Sequence, residues 1–345
     1  MIINNEKDLV HNRLEVAAQA RKRIAPRILE YPSNDRLKLV FDLEMLLTFL
    51  ATALRYNSSS LFSEYSIWTQ HLLVSAGGNA DDFTACLVAI EAELVECGRG
   101  DWVARAQRCL DTARVELDSA LPADESFLSE DNPHRLLAGN FLQTCLEMKR
   151  PQALKIVHDA ANDGISIQEI YSYVITPALR ELGRLWHNNK ITVAQEHYCT
   201  AVVQMIMAQL FPSIFGHEQK LGTLVSSCVA GELHEVGARM LTDLFEVAGW
   251  DTIYLGADVP DESVIDVLIQ HDADILAISA TIAVRLNAVA DLIQAVRENP
   301  ASATIKIMVG GAAFNADPRL WKRLGADGWA SDPDEAIALA ASWKS

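Results

Sequence analysis

From residue 221 to residue 343 short apolar runs alternate with stretches of helical periodicity, and this alternation constrains the fold more than any other feature of the chain. Leu221 to Ala230, Asp251 to Leu255, Ile275 to Ser279, Ile305 to Val309 and Gly328 to Ala330 read as strands. Between and after them Val236 to Ala248, Asp261 to His271 behind Pro260, Leu286 to Asn299, Pro318 to Leu324 and Asp334 to Trp343 read as helices. Parallel strands need a long crossover, and helical crossovers cover both faces of the sheet, so the pattern predicts a doubly wound parallel sheet. Such sheets bind ligands just beyond the carboxyl ends of their strands, which places a site near residues 230, 279 and 309.

Those three places hold Glu232-Leu233-His234-Glu235-Val236-Gly237, Ser279-Ala280-Thr281 and Gly310-Gly311. A neutral imidazole is a good transition-metal ligand, and Glu232, two residues before His234, can accept its other ring proton and fix the tautomer. Gly237 removes a side chain where a bulky ligand approaches the start of a helix, and Gly310-Gly311 does the same at the end of a later strand. A lone E-x-H or a lone G-G is usually a turn; three such elements on one sheet edge are harder to dismiss. Separated by residues 238–278 and 282–309, they resemble the D-x-H-x-x-G, S-x-L, G-G signature of base-off, His-on cobalamin-binding domains. The resemblance implies a flavodoxin-like or Rossmann-like domain over residues 219–345, with His234 as the lower ligand of cobalt. It also implies a slot for the cofactor's nucleotide tail, with Ser279 and Thr281 at its mouth. Glu for Asp at 232 and Thr for Leu at 281 depart from the signature and resemble the variant found in cobalamin-dependent light sensors.

Upstream, apolar residues recur at helical spacing in Leu136 to Met148, Ala153 to Ala161, Ile167 to Trp186 and Val193 to Ile214, which predicts a four-helix bundle over residues 132–215. Thr192 with Gln195 has capping-box spacing, so Glu196 and His197 project from the first turns of the last helix. Singly, Trp186 reads as a hydrophobic plug and Glu196-His197 as an exposed turn. Together, the spacing of Trp186 to Glu196-His197 resembles the helical cap of adenosylcobalamin photoreceptors. That resemblance implies that the tryptophan packs over the upper ligand of cobalt, with the glutamate beside it, and that His197 takes the upper position after photolysis. The expected cofactor is then adenosylcobalamin, and ligation by a second histidine would draw the cap toward the sheet.

Residues 1–121 read as an independent helical domain, with helices over Asp8 to Leu29, Asp35 to Arg55, Ser60 to Val74, Asp81 to Cys97 and Asp101 to Leu117. A polar linker from Pro122 to Pro133 follows. Tyr65, Trp68 and His71 lie three apart on one side of a helix, where they would stack on a flat conjugated ligand or serve as ordinary core. Phe49 to Leu54 with Leu61 to Trp68 resembles the N-terminal domain of photocobilins, which implies a non-covalently held bilin such as biliverdin.

The overall expectation is an α plus α/β chain: helical domain, helical cap, cobalamin-binding parallel sheet. A net charge of −17 opposes binding to nucleic acid or anionic membranes. No apolar run reaches transmembrane length and the N-terminus lacks a secretory pattern, so a cytoplasmic protein is expected. Six scattered cysteines without a C-x-x-C pair fit reduced thiols. No carboxylate pair, nucleophile triad or phosphate loop points to autonomous catalysis. The favoured reading is a light sensor signalling to a partner protein, with a homodimer left open. The alternatives are a corrinoid carrier serving a methyltransferase, and a module that senses cobalamin by its concentration.

Overall fold

The computed structural model describes residues 2–28, 41–119, 125–214 and 221–344. The first part of the expected Asp35 to Arg55 helix and the start of the linker at Pro122 lie outside the described residues. The N-terminal group comprises helices α1 (Glu6–His11), α2 (Arg13–Ile28), α3 (Leu43–Arg55), α4 (Ser59–Ser75), α5 (Ala80–Cys97) and α6 (Trp102–Ser119). A second group comprises α7 (Arg135–Leu146), α8 (Arg150–Asn162), α9 and α10 (Val193–Leu210). α9 is one continuous run of Ile167–Glu169, a π-helical segment Ile170–Ile175 and Thr176–His187. Thr192 and Gln195 form the expected capping box at the start of α10.

The rest is β1 (Thr223–Cys228), α11 (Val236–Val247), β2 (Asp251–Tyr254), α12 (Asp261–Gln270), β3 (Ile275–Ser279), α13 (Leu286–Glu298), β4 (Lys306–Gly310), α14 (Ala312–Ala316), α15 (Leu320–Leu324), β5 (Gly328–Trp329) and α16 (Pro333–Ser342). The strands are all parallel in the order β2-β1-β3-β4-β5, with Val225 opposite Ile253 on one side and Leu276 on the other. Both faces are buried, as the nearly unbroken apolar strands require. Leu224, Ile275, Ala277 and Met308 face α11 and α16, while Val225, Leu276, Ile278, Ile307 and Val309 face α12, α13 and α15. The helices that follow β1 and β3 therefore leave toward opposite faces. Between those two strands lies the switch point at which such sheets open a crevice.

The sequence did not signal α14, because five residues show no helical period. The turn into it depends on Gly311, whose φ of +99° favours glycine and whose Cβ, were there one, would lie 2.4 Å from the Ala280 carbonyl oxygen.

The two helical groups attach to the sheet differently. The apolar core of the second group takes in Met240 and Leu244 of α11, and the buried Tyr171 hydroxyl donates to Asp243 at 2.7 Å. The core of the N-terminal group runs on without a break into the α12 and α13 face of the sheet. There the Tyr56 hydroxyl lies 3.1 Å from the Leu286 carbonyl and 3.0 Å from Asn287 Oδ1, and Arg323 donates to the Tyr56 carbonyl at 2.7 Å. The two helical groups meet at Trp68, which stacks on His187 at 5.2 Å and faces Trp186 at 6.3 Å between ring centres.

Candidate metal centre

β1 ends at Cys228, and the loop before α11 carries Glu232 and His234 to the carboxyl edge of the sheet. Glu232 is fully buried. Its Oε1 accepts from the His234 backbone N–H at 3.0 Å and from His234 Nδ1 at 2.6 Å. Its Oε2 accepts from the backbone N–H groups of Thr281 at 2.8 Å and Ile282 at 3.2 Å, just past β3. Burial alone would push this carboxyl up; the hydrogen bonds from His234, Thr281 and Ile282 overcome it and hold the group near a pKa of about 2. The same hydrogen bond raises the pKa of His234. An ionised carboxylate on Nδ1 leaves Nε2 with its lone pair available, and the imidazole is 56% exposed. Leu233 beside it is 73% exposed.

Ser279 pairs with Cys228 on β1 and with Gly310 on β4, so all three sequence elements do converge on one edge. Their parts differ in kind from the sequence expectation. Thr281 contributes its main-chain N–H to Glu232. A Cβ on Gly310 would come within 3.3 Å of the Ala330 carbonyl oxygen, so Gly310-Gly311 is demanded by neighbouring backbone as well as by any ligand. Gly237 is the opposite case: a Cβ there would meet nothing within 4 Å, and the space in front of α11 is open.

The second helical group faces this edge through α10. Glu196 accepts from Thr200 Oγ1 at 3.0 Å and is close enough for its charge to raise the His234 pKa. Gln204 donates to Glu235 at 3.0 Å, and the Tyr254 hydroxyl donates to the same carboxylate at 3.0 Å, tying α10, β2 and the histidine loop together. His197 is 76% exposed and its Nδ1 contacts Glu196. Trp186 is engaged with Trp68 of the N-terminal group. Sequence reasoning did not single out Arg285, whose guanidinium lies against Gly231.

The donor set suits cobalt in a corrin ring. A single exposed imidazole fits a metal whose equatorial positions a macrocycle already fills, and a buried carboxylate on the other ring nitrogen is the usual support for such a ligand.

Comparison with known proteins agrees. Residues 222–338 match a family model described as a B12 binding domain, and residues 137–211 match a second model of the same description. Dimethylamine corrinoid protein 3 of Methanosarcina acetivorans is 28% identical over 200 residues, covering 56% of this chain and 91% of that protein. Dimethylamine corrinoid protein 1 of the same organism is 26% identical, covering 62% of this chain and 98% of that one. The monomethylamine corrinoid protein of Methanosarcina barkeri shares the fold, with a TM-score of 0.55 at 19% identity over 61% of this chain and 99% of its own.

These relatives overturn the expectation of a light sensor, since they are named as corrinoid proteins of methylamine systems. The photolytic switch of Trp186 and His197 falls with it. The expected biliverdin finds no support either. The Tyr65, Trp68 and His71 face that would have stacked on a pigment makes protein contacts instead: Tyr65 stacks on Phe49 at 3.6 Å, and Trp68, still 36% exposed, and His71 lie against His187. Among the described residues no helix is long and apolar enough to cross a membrane.

Proposed function

We propose that this cobalamin-binding protein is a corrinoid carrier that presents a methyl group to methyltransferases, with methylamine-type compounds as the class of methyl source. The observation that carries the reading is the Glu232–His234 pair, held by main-chain amides from β3 at the switch point of a sheet whose relatives are methylamine corrinoid proteins. When bound, the cobalt supplies a centre that accepts a methyl group from one protein and yields it to another.

The chain's own residues do the rest. His234 Nε2 would hold the cobalt, and Glu232 keeps the ring proton on Nδ1. Gly237, Ser279, Thr281, Gly310 and Gly311 bound the crevice that takes the nucleotide tail, and Leu233 offers an apolar contact beside the ligand. Glu196 approaches from α10 on the other side of His234, with His197 at the rim and Trp186 fixed against the N-terminal group. Protonation of His234 competes with cobalt for the imidazole, so its raised pKa makes ligation weaken as pH falls through that value.

Titration with hydroxocobalamin tests the reading. The wild type should give a base-off spectrum with imidazole on cobalt, and His234→Ala should lose it. The bound cofactor, reduced chemically to Co(I), should take a methyl group from iodomethane and release it to a thiol in the presence of a corrinoid-dependent methyltransferase. Binding without any methyl uptake would refute the carrier role.

A further inference from the structure

Arg285 closes the short 3-10 turn Ala283–Arg285 between β3 and α13, and its side chain reaches the loop that carries His234. Its guanidinium lies against the backbone of Gly231, so close that a Cβ at 231 would fall 2.4 Å from Nη1 and 2.8 Å from Cζ. Gly231 has a φ of +76° and its N–H is held by Asp258 Oδ1 at 2.5 Å, which keeps that approach open. Among the described residues the buried Nε of Arg285 has no hydrogen-bond partner. Its charge is felt at His234, where it opposes the pull of Glu232 and Glu196 on the ring proton.

A half-buried guanidinium without a carboxylate is out of place in a chain with 46 acidic residues. Desolvating part of an arginine is unfavourable unless an anion or an array of acceptors compensates it, and the planar fork is suited to phosphate oxygens. Among the described residues no carboxylate forms an ion pair with it. The two carboxylates nearby are committed elsewhere: Glu232 accepts from four N–H donors and Asp258 holds the Gly231 N–H.

We infer that Arg285 binds the phosphodiester of the corrinoid's nucleotide tail, and so selects complete cobamides over corrinoids that lack it. The inference rests on the carrier reading only in needing a corrinoid held by His234. The ring of a cobamide carries neutral amides at its rim, and the phosphodiester is the one fixed anion of the tail. With His234 as the cobalt ligand, a displaced tail would be held beside the histidine loop, which the Arg285 side chain reaches.

The test compares three probes: cobalamin, cobinamide phosphate and cobinamide, which lacks the phosphate. In the wild type the first two should bind about tenfold or more tighter than cobinamide, the size of a charge-assisted hydrogen bond. Arg285→Gln should erase that ratio while cobinamide still gives the imidazole-ligated spectrum, and Arg285→Lys should keep part of it. Because Nε has no partner to lose, the Arg285→Gln apoprotein should melt no lower than the wild type; a variant that fails to fold would make Arg285 a structural residue and overturn the inference. So would an unchanged ratio, or an equal loss for all three probes. A melting shift with inorganic phosphate alone that depends on Arg285, without a phosphate-dependent gain in corrinoid affinity, would assign the site to a free anion instead. A wild type that binds none of the three probes would overturn the carrier reading as well.

Discussion

Glu232→Gln is the sharpest perturbation of the site, because the wild-type carboxylate is surrounded entirely by donors. Two N–H groups of His234 end on Oε1, and the N–H groups of Thr281 and Ile282 end on Oε2. Both oxygens must accept, which a carboxylate does and a carboxamide cannot. If the amide nitrogen of Gln faces 281 and 282, two buried main-chain donors lose their acceptor. If it faces His234, the imidazole must move its proton from Nδ1 to Nε2, and the nitrogen required for cobalt is blocked. Two orphaned buried donors at about 1–3 kcal/mol each give a loss of roughly 2–6 kcal/mol. The lowered pKa gives the same size: a fall from 4.5 to about 2, at about 1.4 kcal/mol per unit, corresponds to roughly 3.5 kcal/mol. Since the folded-state pKa is lowered, this contribution is fully present above the unfolded value of 4.5 and is lost as pH falls through about 2. Urea unfolding of the apoprotein, followed by circular dichroism, should therefore show a large gap between wild type and variant at neutral pH that narrows in acid. Equal stability at neutral pH, or a gap indifferent to pH, would refute the reasoning.

Two glycines of the site should respond in opposite ways. Gly237→Ala meets no neighbour within 4 Å, so it should leave stability unchanged or raise it by about 0.5–1 kcal/mol while weakening cobalamin binding; Gly311→Ala, at a φ of +99° and 2.4 Å from a carbonyl oxygen, should cost about 3 kcal/mol or more with or without ligand. Denaturant midpoints measured beside corrinoid affinity separate the two. Tyr56→Phe removes the hydroxyl that reaches Leu286 and Asn287 and should lower stability by about 1 kcal/mol; an unchanged midpoint would mean that this contact contributes nothing to the docking of α3. Burial pushes Cys86, Cys109 and Cys228 up to about 12, so a disulfide reagent should label none of these three until the protein unfolds.

The sheet was legible in the sequence because both faces of its strands are buried, so that Leu224 to Cys228 and Ile275 to Ser279 stand out as apolar runs between helical periods. The Glu232–His234 pair was legible because both residues sit in one loop and act through side chains. Arg285 was not, since its significance lies in contacts that are absent and in its distance from Gly231, and neither has a sequence period. The aromatic face of α4 misled for a related reason. Tyr65, Trp68 and His71 show the spacing of a ligand platform, but rings at that spacing serve equally to dock one helical group on another, and the sequence does not show that His187 and Phe49 occupy the other side. The continuity of the N-terminal core with the α12 and α13 face was equally invisible, because residues hundreds of positions apart build it.

Because Glu232 is anchored by the main chain of 281 and 282, that anchor does not depend on which side chains stand there. Every residue except proline brings an N–H, so the third letter of the S-x-L element can change from leucine to threonine without disturbing the carboxylate that orients the histidine. Thr281 therefore carries little information about which chemistry the bound cobalt performs. A light sensor and a methyl carrier can spell this stretch alike, and what divides them has to be read in the elements that close over the other side of the corrin.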